Sequence, residues 1–295
     1  MINATTKVLA IIGDPIGHSL TPRIQNAAWR ELNTPELRAN VLNMAFRVPP
    51  KDLEAVVRGA QKMGFLGLMV TIPHKEKVLS LCDELDISAQ DVGASNLLHF
   101  RSDGAIVGYS SDGWAAMKSL EEEGVQLENA NIAIIGGGGG ARSLALCLAR
   151  SKMGKLRLLN RTVERAEKIA QEVKTLSPDI DVLALPLQKS TFEAVLPECD
   201  VLINATSIGM HPQTEGIPLN PQLLDMLPAS GTVYDIVYNP LETRLLAAAR
   251  ERQRRTVDGL GMLIYTNVRA AQICAKAELS AAMMRQEALR ALSER

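Results

Sequence analysis

Two rhythms alternate along the chain. Short unbroken apolar runs read as buried strands. The stretches between them, with apolar residues every three or four places, read as helices. VLAII (8–12) is the first strand, and Thr21-Pro22 then offers an N-cap and an N1 proline for a helix to about Leu32. A strand at 41–48, a helix over 51–63 and a strand at 67–72 follow. Val78, Leu79, Cys82 and Leu85 share one helical face and predict a helix over 73–85. Residues 96–110 have the pattern of a hairpin with a Ser-Asp-Gly turn, and a long helix is expected over 113–124.

From residue 131 the apolar runs become purer. NIAIIGGGGGARSLALCLA (131–149) reads as strand, glycine turn and helix; LRLLN (156–160) is a strand and VERAEKIAQEV (163–173) a helix. Further strands are expected at 181–185, 200–206 and 232–238, and alanine-rich helices from about Leu260 to the end. Strands that do not alternate with polar residues indicate a parallel sheet covered on both faces. The expected architecture is therefore α/β in two domains, residues 1–111 with 260–295 and residues 112–259, with a ligand cleft between them.

Composition narrows the function. The 295 residues carry a formal net charge of −1, which argues against a nucleic-acid or anionic-membrane binder. No apolar stretch approaches the roughly 18 residues of a membrane span. The start, MINATTKVLAII, reads as a first strand and not as a signal peptide. Cys82, Cys147, Cys199 and Cys274 are scattered among apolar neighbours, as buried reduced thiols of a cytoplasmic protein would be. Neither they nor the four histidines have metal-ligand spacing, so no metal is expected.

Gly136, Gly138 and Ala141 fit G-x-G-x-x-A between a strand and a helix, the setting in which that pattern binds a dinucleotide. Glycine permits the tight turn and lets a pyrophosphate approach the helix N-terminus, where free N–H groups favour an anion. An NAD site usually ends the next strand with Asp or Glu. This chain has Asn160-Arg161-Thr162 there, with Arg165 one turn later. Two guanidinium groups suit a 2′-phosphate, which favours NADP and a Rossmann-type doubly wound domain.

Taken together, several motifs resemble those of the shikimate dehydrogenase family. They are GDPIGHSLTP (13–22), VTIPHK (70–75), GASN (93–96), SSDG (110–113), the glycine turn, NRT (160–162), NATSIGM (204–210), YDIVYNPLET (234–243) and GLGML (259–263). The resemblance implies an N-terminal substrate domain followed by an NADP domain. It implies Lys75 and Asp112 as the catalytic pair, and Ser19, Thr21, Thr71, Asn96, Tyr238 and Thr266 as substrate contacts. It places Gly136, Gly138, Gly139, Gly140, Ala141, Asn160, Arg161, Thr162, Arg165, Thr206, Ser207 and Gly259 at the cofactor. The chemistry is coherent without the name. An alcohol gives up a hydride only if its proton also leaves, and an amine such as that of Lys75 can take it. Locally, Lys75 also reads as the solvated start of a helix, Asp112 as an N-cap, and Ser19 and Thr21 as helix caps.

The chain departs from the family pattern where substrate would bind. Met69 replaces Asn, Ser95 Val, Leu97 Thr, and Ser110-Ser111 Asn-Thr; Thr266, with Asn267 beside it, stands where a substrate-binding Gln is usual. The implied activity is reversible hydride transfer between NADP(H) and a cyclic hydroxylated acid, 3-dehydroshikimate/shikimate first, by a cytoplasmic monomer or homodimer. A paralogue preferring quinate or aminoshikimate, and a non-catalytic NADP-binding sensor, are the competing readings.

Overall fold

The computed structural model describes residues 2–32 and 40–294. The chain divides into two compact units, residues 1–111 with 263–295, and residues 112–262.

The first unit carries β1 (Lys7–Gly13), α1 (Thr21–Leu32), β2 (Val41–Arg47), α2 (Leu53–Lys62), β3 (Gly67–Val70), β4 (Glu84–Leu85), α3 (Ile87–Val92), β5 (Leu97–Phe100) and β6 (Ile106–Tyr109). Its sheet runs β2-β1-β3-β5-β6-β4, with β1 parallel to β2 and β3, and β5 antiparallel to β3 and β6. One face packs Ala10, Ile12, Leu68, Val70 and Leu98 against Val57 and Ala60 of α2. The other packs Leu9, Ile11, Met69 and Leu97 against Ala270 and Cys274. This is the strand alternation expected of a sheet covered on both sides.

Residues 73–85 depart from the expected helix. Residues 73–76 form turns, Lys77–Leu81 is a short 3₁₀ helix, and Glu84–Leu85 joins the sheet beside β6. Of the predicted face only Val78 is fully buried, with Leu79, Cys82 and Leu85 half-buried and Leu81 buried in their stead, and tertiary bonds set the path. The His74 Nε2–H donates to the Val48 carbonyl at 2.7 Å. The Asp83 carboxylate and amide engage the Ile106 N–H (2.8 Å) and carbonyl (2.9 Å), which draws the chain out straight.

The second unit carries α4 (Asp112–Glu122), β7 (Ile132–Ile135), α5 (Gly139–Ala149), β8 (Lys155–Asn160), α6 (Val163–Leu176), β9 (Asp181–Pro186), α7 (Lys189–Val195), β10 (Val201–Asn204), β11 (Thr232–Asp235), α8 (Arg244–Glu251) and β12 (Arg255–Val257). Its strands are all parallel in the order β9-β8-β7-β10-β11-β12, the doubly wound arrangement of dinucleotide folds. The order reverses between β7 and β10, where such sheets bind ligand at the strands' carboxyl ends. α9 (Leu260–Ala275) leads the chain back into the first unit. There α10 (Ala281–Ser293) packs on α1, with Glu287 paired to Arg23 at 2.6 Å. No helix among the described residues is long and apolar enough to cross a membrane.

Candidate active site

In the first unit, several of the residues singled out above gather around the carboxyl ends of β1 and β3. Thr71 follows β3 and donates its N–H to the Ile12 carbonyl at 3.0 Å. A Cβ on Gly13 would lie 2.5 Å from Thr71 Cγ2, so the glycine permits this close packing. Ser19 lies two residues before α1, and its Oγ accepts from the Thr21 N–H at 3.3 Å in the turn that leads into the helix. Thr21 is buried and Ser19 half-buried.

Lys75 is half-buried in the turn after β3. Its carbonyl accepts from the Ser95 N–H at 2.8 Å. The next residue, Asn96, is buried and bound on both ends of its amide. Its Oδ1 accepts from the Ser111 N–H at 2.8 Å, and its Nδ2 donates to Ser111 Oγ at 3.1 Å. Ser111 is peptide-bonded to Asp112, the first residue of α4. A run of hydrogen and covalent bonds therefore links the backbone of Lys75, through Ser95, Asn96 and Ser111, to Asp112. Sequence reasoning missed His74, which anchors this turn from one side; its signal was a histidine in an otherwise apolar-facing motif.

The departures from the family pattern acquire physical reasons. Met69 and Leu97 sit opposite each other across β3 and β5 and share one apolar cluster, so the two apolar replacements pack together. Ser95 Oγ bonds the carbonyls of Leu97 (3.0 Å) and Tyr109 (2.9 Å). Thr266 is buried, and its hydroxyl donates to the Leu263 carbonyl of its own helix at 2.7 Å.

In the second unit, Gly136 follows β7 with φ +132°, a conformation that favours glycine. A Cβ on Gly137 would meet Asn160 Nδ2 at 2.6 Å and Arg165 Cβ at 3.0 Å, which sets the turn against the end of β8. Gly138 and Gly139 are exposed and open: a methyl added to either would find nothing within 4 Å. Gly138 caps α5 without a side-chain bond, leaving the first N–H groups free for an anion. Gly140 approaches Ile236, and Ala141 is fully buried beneath the turn.

Asn160 ends β8 and donates to the Thr162 carbonyl at 2.8 Å. Thr162 caps α6, and Arg161 and Arg165 are exposed and make no ion pair with any described residue. Two free cations stand where an acid would hold a ribose hydroxyl, an arrangement that suits a 2′-phosphate. These residues together fit NADP.

Thr206 sits over Gly136, while Gly259 comes so close to Ile236 that a Cβ would lie 2.2 Å from its carbonyl oxygen. Ser207 is exposed and Tyr238 half-buried. Behind them lies a buried polar network that sequence reasoning did not single out. Asn204 Oδ1 accepts from the Thr206 hydroxyl at 2.7 Å, and Asn204 Nδ2 donates to Asp235 Oδ1 at 3.0 Å. Asp235 also accepts from the Val237 N–H (3.1 Å) and the Thr243 hydroxyl (2.7 Å). Burial pushes the Asp235 carboxyl up to about 6, against the pull of these donors. Among the described residues there is no cluster of His, Cys, Asp or Glu able to hold a metal ion.

Several known proteins are similar to this chain over nearly its whole length. Residues 11–98 match the shikimate dehydrogenase substrate binding domain, and residues 117–212 the family described as shikimate / quinate 5-dehydrogenase. A shikimate dehydrogenase (NADP(+)) of Methanopyrus kandleri is 39% identical over 98% of this chain and 97% of its own. A solved shikimate dehydrogenase in complex with NADP+ is 36% identical, with a TM-score of 0.89 over 99% of this chain and 98% of its own. The quinate dehydrogenase of Corynebacterium glutamicum, solved with NAD, is 26% identical with a TM-score of 0.86, covering 97% and 99% of the two chains. By sequence and by fold, this chain belongs to the shikimate dehydrogenase family.

Proposed function

We propose that the protein is an NADP-dependent oxidoreductase that interconverts shikimate and 3-dehydroshikimate. The bonded run from Lys75 through Ser95, Asn96 and Ser111 to Asp112 carries this reading, because it ties the proton-transfer pair to the main-chain framework. Bound NADP+ supplies the hydride acceptor, on the glycine turn and the free Arg161 and Arg165.

The chain's own residues do the rest. Lys75 takes the hydroxyl proton as the alcohol is oxidised and returns it to the developing alkoxide in reduction. Asp112 is the second member of the pair, the carboxylate that the family pattern couples to this lysine. Asn96 is held immobile by Ser111 and steadies the substrate hydroxyls, an example of a binding group preorganised by its neighbours. Ser19 and Thr21 offer hydroxyl donors to the substrate carboxylate, and Thr71 borders the acid.

The test is the absorbance of reduced nicotinamide, with NADP+ and NAD+ crossed against shikimate, quinate and aminoshikimate. NADP+ reduction with shikimate is expected, falling about 10²–10⁴-fold in Lys75→Ala with NADP+ binding intact. Turnover of quinate alone would move the substrate assignment. Near-normal turnover by Lys75→Ala would remove the proton-shuttle role.

A further inference from the structure

We propose that Asn267 is a positioning residue for the substrate carboxylate: its buried amide holds the Thr21 hydroxyl as a hydrogen-bond donor toward the bound acid. This rests on the functional reading above, in which Thr21 binds that carboxylate.

Thr266 spends its hydroxyl on its own helix. Asn267, one residue on, is fully buried and turns toward α1. Its Nδ2 donates to the Leu263 carbonyl at 2.8 Å and reaches Thr21 Oγ1 at 3.4 Å. An amide nitrogen only donates, so Thr21 Oγ1 is the acceptor in that contact. A hydroxyl has one proton, and Thr21's is thereby left to be given elsewhere. A carboxylate only accepts, so a hydroxyl fixed in this sense is matched to it.

The backbone that carries the amide is itself fixed. Gln25, also fully buried, donates its Nε2 to the Asn267 main-chain carbonyl at 3.3 Å, and its Oε1 accepts from Asn43 Nδ2 at 2.9 Å. This locks α9 against α1 and β2 beside Thr21. Asn267 Oδ1 is buried and receives no hydrogen bond from any described residue. The contact to Thr21 is thus made by the donor end of the amide, while its acceptor end stays inside the core.

The experiment measures kcat and KM for shikimate and KM for NADP+ in the full-length wild type, Asn267→Ala, Asn267→Asp, Thr21→Val and the Thr21→Val/Asn267→Ala double variant. Loss of one such contact is expected to raise KM for shikimate about 10-fold in Asn267→Ala. kcat should change much less, and KM for NADP+ should hold. Asn267→Asp has the same shape but accepts where the amide donates, so its KM should rise at least as far. On the Thr21→Val background the Asn267→Ala change should add less than about 2-fold, because the two residues act as one unit.

An unchanged KM in a folded Asn267→Ala and Asn267→Asp would overturn the assignment. So would an equal KM rise with and without Thr21, or a uniform loss of kcat and both affinities tracking a lowered melting temperature. Thr266→Ala, measured alongside, would take the role for the neighbour, and so overturn the assignment, if KM rose there and not at Asn267. A wild type that neither binds nor oxidises shikimate would overturn the functional reading itself, an outcome distinct from all of these.

Discussion

Asp235 makes the stability of this protein depend on pH in an unusual direction. It is a fully buried carboxyl on a central strand, and burial holds it at about 6. An unfolded Asp titrates near ~3.9. Between those values the native state binds more protons than the unfolded one, so stability falls as pH rises through the window. Each pH unit between the two values costs about 1.36 kcal/mol, or about 3 kcal/mol over the whole window. Between pH 5 and pH 8 the share lost is about 1.4 kcal/mol, most of it below about pH 7, from the same two-state titration. Asp235→Asn removes the titration while keeping the shape. Urea unfolding of both proteins at several pH values, followed by circular dichroism, measures the difference at each; other titrating groups cancel in it. The variant should gain on the wild type by about 1.4 kcal/mol from pH 5 to pH 8, whatever its offset at pH 5. A difference that stays flat, or a wild type that gains as pH rises, would show that the carboxyl is not raised.

Three further outcomes follow from the geometry. Arg161→Gln/Arg165→Gln should raise KM for NADP+ at least about 10-fold while leaving any residual NAD+ turnover unchanged, since only the 2′-phosphate distinguishes the two cofactors; steady-state kinetics with both decides. Gly259→Ala would place a methyl 2.2 Å from the Ile236 carbonyl oxygen, backbone against backbone, and should cost about 1–3 kcal/mol, seen as a melting temperature several degrees lower. Burial pushes the thiols of Cys82 and Cys147 to about 11 and of Cys199 to about 12, so the native protein should resist alkylation at neutral pH until denatured, as intact-mass measurement would show.

The parts of the fold legible in the sequence are those decided within about 30 residues. The strand, glycine turn and helix at 131–149 form one local unit, and the pattern G-x-G-x-x-A already implies the tight turn and the buried alanine found there. The doubly wound class followed from the unbroken apolar strands of the same half. The segment after Pro73 was not legible, because its apolar spacing serves a helix and a 3₁₀ turn equally well. What decides between them is a histidine bonded to a carbonyl 26 residues upstream and an aspartate bonded to an amide 23 residues downstream.

The rest of the site was hidden for a related reason: it depends on strand register, which one-dimensional spacing does not carry. Asn204 and Asp235 are direct partners across β10 and β11, so an amide and a carboxyl 31 residues apart meet inside the sheet and hold the Thr206 loop. Met69 and Leu97 are partners across β3 and β5, and two departures that on paper strip the substrate pocket are one packed pair. The same logic moves attention from Thr266 to Asn267, since on a helix the next residue faces about 100° away. A substitution judged against its column in a family pattern looks like a loss. Judged against its neighbour across the sheet or around the helix, it is a rearrangement, and the proposed pairing of Asn267 with Thr21 is where that rearrangement would have a measurable consequence.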